Sequence, residues 1–282
     1  MRNAAIISLL KRVIELLRKN PVKEDSTMLV LTVWQRGLLS PDWPELADGF
    51  DAVSVKCVDG SKTYRMGEAK ETAREAIAAG MKIHAWGFHY CQSENQGRKE
   101  AEAAAKACLE LGAEGYHWNA EKQWAATGDP ASCAIAFAQE FKSFAPAVQL
   151  YANCFNDPIT SKMMENFDFF EPMCYGTKRK TISKKIDARM DRHEIPTSKK
   201  GFMVGTGRKE VGKPGRAWGY LNGEDDDPGL VQLAVKHKPA VINFFRAGKA
   251  NGEDIMADAN DVNPRLGEQV NQIRAALNGA IV

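Results

Sequence analysis

Eight short β-rich runs, separated by helix-length connections, constrain this chain more than any other feature. MLVLTVW (28–34), AVSVKC (52–57), KIHAWGFHY (82–90), GYHWNAE (115–121), VQLYANCF (148–155), FDFFEPMCY (167–175), GFMVGTG (201–207) and AVINFFRA (240–247) carry the β-branched, aromatic and alternating residues of strands. Between them TAREAIAAG, GRKEAEAAAKACLELG, SCAIAFAQEFKSF, GLVQLAVKHK and PRLGEQVNQIRAAL repeat apolar residues at helical spacing. Strands alternating with helices pair in parallel through right-handed crossovers. Eight such units close a (β/α)8 barrel, and 282 residues accommodate one. The competitor is an open doubly wound sheet. Its dinucleotide-binding form needs G-x-G-x-x-G after the first strand, where this chain reads WQRGLLSPDWP. The expected fold is therefore α/β, a single (β/α)8 TIM barrel over residues 28–282.

The first 27 residues stand apart. Ile6, Leu9, Leu10, Val13, Ile14 and Leu17 recur at helical spacing, so residues 4–18 read as an extra N-terminal amphipathic helix. That helix covers part of the barrel or docks on a protein partner. Its apolar stretch is short and runs at once into KRVIELLRK, which is not the pattern of a signal peptide. No run approaches the ~20 apolar residues of a membrane span. Synthesis in the cytoplasm without a membrane span is the expectation. The six cysteines form no C-x-x-C pair and read as reduced, buried small hydrophobes. A net charge of +2 is too small to imply a nucleic-acid partner. Residues 176–200 are the local exception, strongly basic, and read as a solvated helix with its lysines outward; attraction of an anionic polymer is the alternative.

In a barrel, alternate strand residues point inward and the last inward residue sits at the active-site mouth. In the fourth run this places His117, Asn119 and Glu121 inside, with Tyr116 and Trp118 against the helices. Inward polar groups are costly unless bonded to each other or to a ligand. A catalytic Glu121 is one reading; an internal polar network with Glu121 solvated at the rim is the other. Trp34, Lys56, Asp59, His89, Tyr90, Asn153, Glu171, Tyr175 and Arg246 end or approach the ends of other strands. Trp218 lies in the long connection 208–228, on the same face. One acid, several hydrogen-bonding groups and aromatic platforms suit a carbohydrate. Lys56 also suits a Schiff-base lyase. The five histidines show no metal-ligand spacing, so neither metal nor other cofactor is expected.

Two resemblances attach to these residues. SVKCVDG, AREAIAAGMKIHAWGFHY and QGRKEAEAAAKACLELGAEGYHWNAE, followed by YANCFND, are similar to the middle of the family-25 lysozyme-like muramidases. Glu114, His117, Asn119 and Glu121 match the register of the D-x-x-D-x-D-x-E strand of family-18 chitinases, and Met173-Cys174-Tyr175-Gly176 resembles their M-x-Y-D. The likeness covers roughly residues 50–176. Asn119 and Gly176 stand where those chitinases have aspartate, and strand one lacks the aspartate of the muramidases. The resemblance implies that Glu121 is a general acid, with Asn119 and Tyr175 orienting an N-acetyl group and the sugar's own acetamide replacing the second carboxylate. Glu171 and Asp59 are the alternative second carboxylates. The implied function is hydrolysis of an N-acetylated polysaccharide such as peptidoglycan, in the manner of a phage lysin acting on the cell wall. The alternative is a non-catalytic barrel, a structural or glycan-binding subunit of a larger, phage-type assembly.

Overall fold

A computed structural model of the chain describes residues 27–33, 43–154, 159–175, 179–193, 195–205, 229–250, 253–255 and 266–278. The expected N-terminal helix lies outside the described residues. In chain order the elements are β1 (Met28–Val33), α1 (Trp43–Gly49), β2 (Ala52–Asp59), β3 (Lys62–Thr63), α2 (Met66–Ala78), β4 (Lys82–His89) and α3 (Glu94–Leu111). They continue with β5 (Gly115–Ala120), α4 (Lys122–Ala125), α5 (Pro130–Phe144), β6 (Gln149–Cys154), α6 (Ser161–Met164), β7 (Phe169–Phe170) and α7 (Arg179–Met190). A 3-10 turn (Thr197–Lys199), β8 (Gly201–Gly205), α8 (Leu230–His237), β9 (Val241–Ala250), β10 (Glu253–Ile255) and α9 (Leu266–Leu277) complete the chain.

Eight of these strands form the expected barrel. β1, β2, β4, β5, β6 and β7 pair in parallel in that order, and β8 pairs with β9, which returns to β1. Parallel bridges Phe170–Lys200 and Met173–Met203 join β7 to β8 and close the ring. The seventh strand is shorter than FDFFEPMCY suggests because Pro172 has no N–H to give to the ladder. β3 folds back on β2 through Gly60, whose φ of +60° only glycine adopts freely.

The helices start and stop where their sequence directs. Ser93 accepts from Gln96 N at the start of α3, and Gly112 (φ +64°) ends it. Asp129 caps α5, with Pro130 in its first turn. Ala101, Ala104, Ala105 and Ala107 of α3 are buried, and their small side chains let helix and strands approach closely. Gly97 lets α3 lie close to α5, because a Cβ there would lie 2.9 Å from the Cys133 carbonyl oxygen on α5. The six cysteines are free and buried, matching the expectation; burial pushes the Cys57 and Cys174 thiols up to about 12.

The barrel interior is layered. Val30, Ala52, Tyr151 and Val241, with Met28 and Phe169, plug the end where the strands begin. Met173, Tyr175 and Met203, with Phe245, pack near the opposite end. Between them lies a polar layer of Thr32, Ser54, His84, His117, Asn153, Glu171 and Asn243, all buried.

Candidate functional site

The polar layer is a hydrogen-bonded chain. His84 Nδ1 lies 3.0 Å from His117 Nε2, and His117 Nδ1 lies 2.7 Å from Glu171 Oε2. Asn153 Nδ2 donates to Glu171 Oε1 over 3.2 Å. The His117 ring stacks on Tyr151, with centroids 4.4 Å apart. Burial first, and then the neighbouring His117, hold His84 well below the ordinary histidine value, so its ring is neutral. Gly115 makes room for that ring: a Cβ there would meet three of its atoms at 2.7–2.9 Å. Thr32 Oγ1 donates to Asn243 Oδ1 on the opposite side of the layer.

This chain of bonds decides what several expected site residues do. His117, Asn153 and Glu171 are inside the barrel, on the faces the alternation implied, yet each is covered by its neighbours at no more than 1% exposure. They are a support beneath the mouth and not a surface for substrate. Glu171 is therefore withdrawn as a rim carboxylate, since both its oxygens are engaged by ring and amide donors. His89 departs from expectation more sharply. The inner residues of β4 are His84, Trp86 and Phe88, which turns His89 out into the helix layer. There its ring bonds Glu100 Oε2 (3.1 Å) and the Tyr116 hydroxyl (2.6 Å). Gly87 leaves space for the Tyr116 hydroxyl, which would lie 2.2 Å from a Cβ. Glu100, fully buried on α3, also accepts from the backbone N–H groups of Tyr90 and Cys91 and from Gln96. It thereby ties the end of β4 to the helix.

At the mouth, a register shift in β2 between Lys56 and Val58 brings Lys56 and Asp59 onto one face. Their side chains pair at 2.8 Å, and the Lys56 ammonium lies 4.2 Å from the Tyr64 ring and 5.2 Å from the Trp86 ring. Asp59 also accepts from the Tyr90 hydroxyl. Both the candidate second carboxylate and the candidate Schiff-base lysine are thus held by charged or aromatic partners. Trp86, with Nε1 donating to the Val33 carbonyl and its ring against Phe245, was not singled out in the sequence. The alternation of β4 around His84 carries the signal that places it inside. Tyr175 is buried beside Met203 and Phe245. Trp34 and Trp218 lie outside the described residues, as does the side chain of Arg246.

Glu121 follows directly on β5. Its extended backbone (φ −120°, ψ −144°) carries the strand's alternation one residue further, onto the face of His117 and Asn119. Its carboxyl does not cap α4 and has no hydrogen-bond or ion-pair partner among the described residues. It is half-buried, and that desolvation raises its pKa against a smaller lowering by Lys122. Asn119, one step deeper, pairs in register with Asn153 on β6, and the Oδ1 atoms of both are buried with no partner among the described residues. Among the described residues no group of three His, Cys, Asp or Glu could hold a metal ion, and no helix is long and apolar enough to cross a membrane.

No family model matches the sequence, and no curated protein matches it. Solved structures do resemble it. A chitinase from Bacteroides thetaiotaomicron superposes with a TM-score of 0.62 at 8% identity, over 89% of this chain and 96% of that one. A GH18 chitinase from Pseudoalteromonas aurantia gives 0.60 at 12% identity, over 88% and 100%. The spore cortex-lytic enzyme SleL of Bacillus megaterium gives 0.56 at 10% identity, over 89% and 75%. At these identities the likeness establishes the fold, an α/β TIM barrel shared with chitinases and a cortex-lytic enzyme.

Proposed function

We propose that this barrel is a glycoside hydrolase acting on an N-acetylated polysaccharide, peptidoglycan or a chitin-like chain, with Glu121 as its general acid. The observation that carries the reading is the state of that carboxyl: at the end of β5, half-buried, engaged by no described cation or donor, and raised in pKa by burial. A general acid must hold its proton near working pH, and desolvation is the ordinary way a fold arranges that. Asp59 and Glu171 are both bonded elsewhere, which leaves no second free carboxylate among the described groups at the mouth. Substrate assistance answers this lack. Glu121 gives its proton to the glycosidic oxygen as the bond to C1 breaks, and the substrate's acetamide oxygen bonds C1. Water then opens that ring, and Glu121 takes the proton back. Asn119 and Tyr175 are assigned to orienting the acetamide.

Turbidity of purified cell walls and product release from N-acetylglucosamine oligomers test the reading. Wild type should clear or cleave one of them, and Glu121→Gln should reduce the rate at least 1000-fold with an unchanged melting curve. A wild type that binds glycan without cutting it at any pH would instead establish the non-catalytic barrel.

A further inference from the structure

The polar layer of the barrel divides into two hydrogen-bonded arcs. One runs from His84 through His117 and Glu171 to Asn153. The other is the bond from Thr32 Oγ1 to Asn243 Oδ1, at 2.7 Å. Where the arcs approach each other, Ser54 Oγ, His84 Nε2 and Asn243 Nδ2 are buried with no hydrogen-bond partner among the described residues. All three residues are fully buried. They belong to one stretch of the barrel wall. Ser54 pairs in register with His84 on β4 and with Thr32 on β1, and Thr32 in turn holds Asn243 on β9.

A buried polar atom without a partner carries the whole cost of its lost hydration, so three of them side by side call for a shared ligand. Their chemistry selects it. Asn243 Nδ2 only donates, and Ser54 Oγ both donates and accepts. His84 Nε2 accepts when the proton is on Nδ1 and donates when it is not, while Nδ1 is engaged by His117. The ligand must therefore donate and accept through one small centre. A cation is repelled by the amide N–H of Asn243, and the carboxylate of this layer, Glu171, is engaged by His117 and Asn153 in the other arc. An anion finds no opposite charge, because the His84 ring is neutral. An apolar ligand would leave all three atoms unpaired. Ser54 and Thr32 are the shortest side chains of the layer, which recesses the wall between His84 and Asn243.

We propose that one water molecule is bound in this recess, shared by Ser54 Oγ, His84 Nε2 and Asn243 Nδ2, and that it joins the two arcs into a single ring of hydrogen bonds. Roughly three bonds is the usual complement of a buried water. The imidazole of His84 is then held through both nitrogens, by His117 on one side and by water on the other. The site lies beneath the Glu121 mouth and is independent of the hydrolysis proposed above.

A high-resolution crystal structure of the full chain tests it. A solvent peak roughly 2.5–3.2 Å from all three atoms is expected. Ser54→Ala should keep that peak on its two remaining partners. Ser54→Val, which removes the hydroxyl and fills the recess, should lose it. Oxygen-17 relaxation dispersion, which detects long-lived internal waters in solution, should lose the contribution of a single water in Ser54→Val and none in Ser54→Ala. A wild-type map with no peak between the three atoms, or with two of them bonded directly to each other, overturns the site. So does a peak or a dispersion amplitude that survives unchanged in Ser54→Val. The wild-type map and dispersion decide the matter if Ser54→Val does not fold. Neither measurement involves cleavage of a glycan, so failure of this site is distinct from failure of the role assigned to Glu121.

Discussion

Replacing Gly115 by alanine should break the polar layer from below, and the size of the effect follows from geometry. The new Cβ would lie 2.7 Å from His84 Cε1 and Nδ1 and 2.9 Å from Cγ. The ring has little room to give, since it is held at 3.0 Å from His117 Nε2 and packs on Tyr151. It must move, and the bond to His117 goes with it. Overpacking costs about 1–3 kcal/mol. A buried ring nitrogen left unpaired costs about 1–3 kcal/mol more. The lower chain entropy of alanine in the unfolded state returns about 0.4–1 kcal/mol. The net is about 3 kcal/mol, a large part of a typical stability of ~5–15 kcal/mol. In a chain of this size that is a melting temperature lower by roughly 6–12 °C. Urea titrations of wild type, Gly115→Ala, His84→Ala and the double variant test the cause. With His84 already truncated, Gly115→Ala should cost less than about 0.5 kcal/mol, giving a coupling energy of about 2–3 kcal/mol. A cost below about 1 kcal/mol in wild type, or the same cost in both backgrounds, refutes the steric argument.

Three further outcomes follow from the same coordinates. Glu100→Leu removes the acceptor for the His89 ring and for the N–H groups of Tyr90 and Cys91, and should cost about 3–5 kcal/mol as a broken buried pair; denaturant unfolding measures it, and Glu100→Gln should recover part. His84 is neutral in the fold, while in the unfolded chain it takes a proton near 6.5. Its contribution to stability is present above that pH and lost as pH falls below it, so stability measured at pH 7.5, 6.5 and 5.5 should decline, less steeply in His84→Gln. In the role proposed for Glu121 the protonated form is the active one, and burial raises its pKa above the ordinary carboxylate value. The alkaline limb of a kcat profile should sit there, and a limb at an ordinary glutamate pKa would contradict the role assigned to burial.

The barrel was legible because its signal is repeated eight times, and one misjudged strand does not change the count. On β5 the period of two also survived intact: Tyr116 and Trp118 pack outward on Phe137, while His117 and Asn119 face in. The losses came where a strand departs from that period or where a partner is far along the chain. His89 is grouped with the mouth because it ends KIHAWGFHY, but its ring faces the helix layer, where Glu100 holds it, and that partner is not visible in the strand itself. The shift in β2 that joins Lys56 to Asp59 leaves no mark in the local pattern.

The carboxylates show most clearly why composition could not assign the site. Glu171, Asp59 and Glu121 all fall near strand ends, and sequence spacing treats them alike. Their environments do not. Glu171 meets His117 from 54 residues away and Asn153 from 18, and both bonds consume it. Asp59 is engaged by Lys56 and Tyr90. A buried or paired carboxylate has already given up the interactions that a reacting sugar would need. Glu121 has its pKa raised by desolvation and no partner among the described residues to displace, so the role proposed for it rests on what surrounds each acid and not on where it stands in its strand.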